Sequence, residues 1–164
     1  MNQTLSRNRS PHEGLLTALA IGGFFIVLGV VFTFTLDISQ KTNTFFSDLT
    51  TVTYSFGGSG TANLPAPANP SDHIGFYTVV MRFLLGVGIL QIIILVLRIA
   101  IRSRISRIAE TVGNLVFWMG AGVMANFFLL TGTLNSWFQF WAALIVLIGV
   151  SLIARFCVYL AGRS

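Results

Sequence analysis

Few side chains in this sequence could do chemistry, and their positions do not suggest a catalytic or metal site. His12 and His73 are separated by an apolar run long enough to cross a bilayer, so they should lie on opposite sides and cannot share a metal ion. Cys157 is the only cysteine, which excludes an internal disulfide and a thiolate metal cage. Ser71, Asp72 and His73 are the residue types of a hydrolase triad, but sequence neighbours rarely converge on one substrate atom. We expect surface or turn histidines, no catalytic residue, no metal site and no cofactor.

Polar residues within or beside the apolar runs are the next candidates, because polar groups in hydrocarbon are costly and often functional. Glu110 lies close to Arg107 where an apolar run begins, which favours a structural role near a helix start. Asn114 and Asn126 are separated by about 120° around a helix, so we expect interhelical hydrogen bonds and no single polar stripe. The candidate polar residues are Arg82, Gln91, Glu110, Asn114 and Asn126.

Arg82 is the candidate with the clearest physical consequence. It lies about 12 Å along a helix from the start of the second apolar run. Its long side chain can snorkel back to the headgroups, or it can pair with an acceptor at the same end of the run. The acceptors expected there are Asp37, Asp48, Asp72, exposed loop carbonyls or a carboxylate on a partner subunit. We predict a protein contact that holds the loop over the helices.

Small residues recur at helical spacing in two of the apolar runs. Ala18, Gly22 and Gly29 share a face of the first run. A thin stripe on the third run contains Gly113, Gly120, Ala121 and Ala125. Such faces let helix backbones approach closely, within the chain or against another subunit. We predict helix contacts at Gly22, Gly29, Gly113 and Gly120.

A basic segment, 98–110, follows the second apolar run. At helical spacing, Ile101, Ile105 and Ile108 fall on one narrow face and the arginines lie on the flanks and back. This pattern predicts a cytoplasmic connector against anionic lipid, at about 1 kcal/mol per basic residue near the surface. The arginines assigned to this contact are Arg98, Arg102, Arg104 and Arg107.

Four apolar runs must position all these residues. The sequence is 54% hydrophobic and 9% charged, against about 25% charged residues in a typical soluble domain. We therefore predict an all-α integral membrane protein, a four-transmembrane-helix bundle that forms a single domain over 1–164. Its predicted segments are a cytoplasmic arm 1–14, spans at 15–36, 74–97, 111–131 and 137–160, a long external loop 37–73, the connector 98–110, an external turn 132–136 and a cytoplasmic tail 161–164.

The long loop 37–73 is rich in Thr, Ser, Asn, Gly and Pro. Alternating small and larger side chains over 51–56 give a weak strand signal. The stretch 69–72 predicts a turn followed by helix-capping residues. Four aromatic residues of the loop are expected to rest on the membrane interface or on a partner protein, namely Phe45, Phe46, Tyr54 and Phe56.

The basic residues predict the orientation. Arg7, Arg9, the four connector arginines, Arg155 and Arg163 fall on one side of the predicted membrane, against Lys41 on the other. The positive-inside rule then places both termini in the cytoplasm and the long loop outside, and we expect the plasma membrane. Because these charges lie at the ends of apolar runs and not on one water-facing patch, nucleic acid is not an expected partner.

Three functions are compatible with these features. The first is a non-catalytic accessory or structural subunit that packs against itself or a larger membrane complex. The second is a small oligomeric channel or carrier that uses the polar residues of the second and third spans. The third, a membrane enzyme acting on lipid, has the least support because no nucleophile with a nearby base and no carboxylate pair is evident.

Overall fold

The computed structural model describes residues 11–55 and 60–162 and is mostly helical. Four of its helices are long and apolar enough to cross a membrane, which suggests a membrane location. The elements in chain order are α1 (Pro11–Thr33), α2 (Ile38–Ser47), β1 (Leu49–Ser55), β2 (Thr61–Pro67), a 3-10 turn (Pro70–His73), α3 (Ile74–Ala100), α4 (Ile105–Phe128), a second 3-10 turn (Leu129–Thr131) and α5 (Leu134–Ala161).

The four long helices pack mainly against their neighbours in the chain, with α3 and α4 at the centre and α1 and α5 on the flanks. Glycines set the closest approaches. A Cβ on Gly122 would lie 2.5 Å from Cδ2 of Leu85, and a Cβ on Gly88 would overlap the side chain of Met119. The two glycines thus admit large side chains from the opposite helix, so α3 and α4 interlock in both directions.

The predicted basic connector is not one amphipathic segment. Only 101–104 separate α3 from α4, so α4 begins six residues before the predicted span. Arg98 lies in α3, Arg107 lies in α4, and Arg102 and Arg104 lie in the turn between them. Arg102 has a left-handed backbone (φ 51°), and the N–H groups of Arg102 and Ser103 donate to the carbonyls of Ile99 and Arg98. This hydrogen-bond pattern is a Schellman motif, which ends α3 and reverses the chain. Helical spacing alone could not locate it, because the left-handed position holds Arg and not Gly.

The long loop is a folded unit, and we call residues 37–73 the cap. The predicted strand near 51–56 is confirmed as β1, which pairs antiparallel with β2 from Leu49 opposite Pro67 to Ser55 opposite Thr61. The second strand was missed because its prolines read as turn signals. Pro tolerates this position because a two-stranded sheet consists only of edge strands. The prediction that Ser71 and Asp72 cap α3 is wrong, since the side chains before α3 make no capping hydrogen bond.

Candidate functional site

The most elaborate site lies where the cap meets the ends of α3 and α5, and it is built around Phe45. This side chain from α2 is buried, stacks on Phe76 with ring centroids 4.4 Å apart, and lies 5.9 Å from Trp137. His73 and Tyr77 meet the same ring edge-on, at 5.4 and 6.0 Å. Aromatic pairs at such distances add to the stabilisation from burial. The cap is therefore packed onto the helices, and Phe45 is not a residue left for the membrane interface.

Asp48 adds hydrogen bonds next to this aromatic cluster. Its carboxylate accepts hydrogen bonds from the Asn69 backbone N–H and pairs with Nε2 of His73, both at 2.8 Å. The Asn69 N–H, followed by the His73 imidazole, holds the pKa of Asp48 below its usual value of 3.8, because both favour the charged carboxylate. His73 lies in the 3-10 turn, in line with the prediction of a turn histidine, but it is 3% exposed and so is not a surface residue. Burial is possible because the imidazole has a carboxylate partner.

Two further contacts tie the hairpin to the start of α5. The Tyr54 hydroxyl donates to Oδ1 of Asn135 at 2.8 Å, and its ring packs on Phe138 with centroids 4.2 Å apart. Nε1 of Trp137 donates to the carbonyl of Pro65 at 3.4 Å. Both strands of the hairpin are thus attached to one helix end, which fixes the cap in place.

The described contacts of this junction attach the cap to the long helices. Asp48 and His73 have the geometry that orients an imidazole in hydrolases, but within the described residues no Ser, Thr or Cys side chain is hydrogen-bonded to His73. The Tyr77 hydroxyl is buried with no hydrogen-bond partner in the part of the chain that the structure describes. Among those same residues, no group of three or more His, Cys, Asp or Glu could hold a metal ion.

Arg82 does not pair with the cap. Its side chain is exposed on α3 and forms no hydrogen bond or ion pair with any residue in 11–55 or 60–162. One predicted acceptor, Asp48, is occupied by His73 and Asn69. The prediction that Arg82 holds the loop over the helices is therefore not borne out within the described residues. Any acceptor for the Arg82 guanidinium lies outside them.

The other polar candidates do not converge. Glu110 forms an ion pair with Arg107 at 3.3 Å, as expected for a structural role. Asn114 and Asn126 are exposed, and neither shows the expected interhelical hydrogen bond within the described residues. Gln91 is half-buried on α3 and is separated from Arg82 by about 180° around the helix axis. These residues stay candidates individually, without a shared site.

The small-residue predictions divide between the two helices. On α4, a Cβ on Gly120 would lie 2.5 Å from Cδ1 of Leu147, and one on Gly113 would lie 3.1 Å from the carbonyl oxygen of Ser151, so both face α5. On α1, Gly22 and Gly29 have no neighbour within 4 Å of a Cβ position. The glycine of α1 that meets α3 is Gly23, one position away, where a Cβ would lie 2.5 Å from Leu90. The face chosen from the sequence is the outward face of α1.

The four arginines of the predicted connector lie in or near the turn between α3 and α4. Arg98 donates to the carbonyl of Arg107, which ties the two helices together. Arg102, Arg104 and Arg107 are exposed, so they can reach headgroups, although nothing in the structure tests the lipid contact.

Sequence reasoning missed the Asp48–His73 pair and the glycines of the α3–α4 contact. The pair has no sequence signal, because its members are 25 residues apart in a segment without periodicity. Gly88 and Gly122 had a signal, since both lie in the apolar runs where small residues favour close helix packing. No protein-family model, curated protein or solved structure matches this chain.

Proposed function

We propose that this protein is a multi-pass integral membrane protein that serves as a non-catalytic accessory or structural subunit, packed against a second copy or a larger membrane complex. The observation that carries the proposal is the exposed arginine on α3, which pairs with none of the residues that the structure describes. Arg82 shares a helix face with Ile89, Ile93 and Val96, which are 55%, 50% and 59% exposed. A cation on an otherwise apolar, lipid-facing surface is costly, and a carboxylate or carbonyl on a neighbouring protein would offset the cost.

The flanking helix α1 supports the same proposal. Only 6% of the most apolar stretch of α1 is buried within the chain, as in α5, against 28% for the corresponding stretches of α3 and α4. Its outward face includes Gly22 and Gly29, where another helix backbone can approach without meeting a side chain. A channel formed by one chain is less well supported, because Arg82 and Gln91 point to opposite sides of α3.

We further propose that both termini are cytoplasmic, that the cap lies outside the plasma membrane, and that the arginines at the α3–α4 turn meet anionic lipid. The support is the charge distribution, with Lys41 the one basic residue of the cap and the arginines concentrated at the opposite helix ends. Protease added to intact cells should then cut only within the cap. Cleavage at 101–104 in intact cells would reverse the orientation.

The subunit proposal is tested by Arg82→Met, which keeps the length of the side chain and removes its charge. Native protein extracted in mild detergent should migrate as a complex larger than one chain, and Arg82→Met should shift most of it to the monomer. Arg155→Met is the matched control, because Arg155 is another exposed arginine near the opposite end of a long helix. Assembly that survives Arg82→Met unchanged would favour snorkelling and remove the support for the proposal.

A further inference from the structure

A groove opens between the beginning of α4 and the end of α5, on the side of the molecule that carries the arginines. Its volume is about 310 Å³, near the lower end of the range for small-ligand sites. The residues that line it are Ser106, Ala109, Leu152, Arg155, Phe156 and Tyr159.

Two close helix contacts bound this groove. At one end, Gly113 approaches the carbonyl of Ser151, and at the other a Cβ on Gly162 would overlap the side chain of Ile105. The two contacts are about 12 Å apart along α4. Between them, α4 presents the small side chains of Ser106 and Ala109 toward α5, which leaves the space unfilled. The groove is therefore built by the positions of small residues between two fixed crossings.

The lining is amphipathic. Leu152 and Phe156 are 58% and 60% exposed and form an apolar wall beside the buried Ala109. Arg155 extends from the same face of α5, with the hydroxyl residues Ser106 and Tyr159 nearby in the lining. One cation with a serine hydroxyl next to an apolar wall matches a phosphate attached to a hydrocarbon chain.

The charges around the groove favour an anion. Arg155 forms no hydrogen bond or ion pair with any described residue, so its guanidinium is available. Glu110 is the only carboxylate side chain from Ile74 to the end of the sequence, and it is paired with Arg107. Arg102 and Arg104 are also exposed on this side of the molecule. Among the side chains that the structure describes, no carboxylate pairs with Arg155.

The position along α5 fits a headgroup. Arg155 lies about 9 Å from the end of a helix that is about 42 Å long, whereas the hydrocarbon core of a bilayer is about 30 Å thick. The guanidinium therefore falls near the boundary between hydrocarbon and headgroups, where an arginine side chain reaches phosphates.

From this we infer that the groove is a binding site for one anionic phospholipid, with its phosphate on Arg155 and the hydroxyl of Ser106, and with one hydrocarbon chain along Leu152 and Phe156. The site holds a single lipid in a defined place, unlike a general attraction of basic residues to the membrane surface. The inference requires only that the chain lies in a bilayer, so it stands or falls independently of any subunit role.

The test is native mass spectrometry of the full-length protein in mixed micelles containing phosphatidylglycerol or phosphatidylcholine. We expect one phosphatidylglycerol to remain bound under conditions that remove phosphatidylcholine. Arg155→Gln should lower its occupancy by about tenfold, since a charge-assisted phosphate contact is lost. Ser106→Phe, which fills the groove from an exposed position, should have a similar effect. Lys41→Gln, which removes one positive charge from the opposite end of the molecule, is the control and should retain the lipid.

Three results would overturn the inference. Equal losses in Arg155→Gln and Lys41→Gln would show that binding follows total charge and not the groove. Retention of the lipid in both Arg155→Gln and Ser106→Phe would place it elsewhere. Displacement of the lipid by an equal concentration of inorganic phosphate would show that the site takes a soluble anion. A thermal unfolding curve in phosphatidylcholine, unchanged between Ser106→Phe and wild type, verifies that the variant is folded.

Discussion

The α3–α4 pair, with the cap resting on α3, and the flanking helix α1 are all apolar enough to cross a membrane, but they differ in how they are packed. Between α3 and α4, Gly88 and Gly122 each receive a side chain from the opposite helix. On α1, Gly22 and Gly29 face open space. A glycine in an apolar run therefore marks a close helix contact in one case and a bare backbone surface in the other, and only its neighbours distinguish the two.

The cap provides the largest expected effect in this comparison. Phe45→Ala should destabilise the packed region by about 3–5 kcal/mol, because it removes the ring around which the aromatic cluster is built. The free energy can be measured by limited proteolysis of the cap in detergent under native conditions. Phe46→Ala is the control, since Phe46 is 62% exposed, and it should change little. Equal sensitivity in both variants would mean that the cap is not anchored through Phe45.

The same substitution at two glycines sharpens the contrast between α4 and α1. Gly122→Ala should cost about 1–3 kcal/mol, because the new Cβ would lie 2.5 Å from Leu85 and 3.2 Å from its backbone nitrogen. Gly22→Ala should not destabilise the monomer and should gain up to about 1 kcal/mol from helix propensity. Thermal unfolding of the two variants in one detergent checks both signs. A loss of stability for Gly22→Ala in the monomer would mean that α1 packs through its outward face.

The smallest effect is expected from pH. The lowered pKa of Asp48 means that its contacts with Asn69 and His73 stabilise the cap fully above pH 3.8 and are lost as the pH falls through the lowered value. The near-ultraviolet circular dichroism of the aromatic cluster should report this loss. Asp48→Asn should remove the Asp48 contribution to the pH dependence, whereas Asp72→Asn, an exposed neighbour, should keep it. An identical acid transition in Asp48→Asn would assign it to another group.

The four long helices were predictable because hydropathy acts over some 20 residues and averages out local irregularities. The ends of the helices were less predictable. The α3–α4 turn depends on a left-handed Arg102, and the sequence contains no glycine there to signal it. The cap junction depends on pairing across the chain, as between Tyr54 and Asn135, which no periodicity encodes. On α1, Gly23 faces α3 and its neighbour Gly22 faces outward. A face assigned from helical spacing alone can be wrong by one residue, so the sequence could not distinguish these two glycines.

The dependence of α1 on α3 has a consequence for how the chain could be divided. The helix α1 packs alongside α3 through two glycine contacts, Gly23 against Leu90 and Gly86 against Val27. A helical peptide that binds to the surface of a receptor makes contacts of the same kind. A break at Gly60, in the hairpin between β1 and β2, would separate a fragment carrying α1 from one carrying the other three long helices. The seven-residue pairing of β1 with β2 would still hold the fragments in register. We therefore expect a chain divided at this point to behave as a split protein, with two pieces that are synthesised apart and reassociate in the same bilayer.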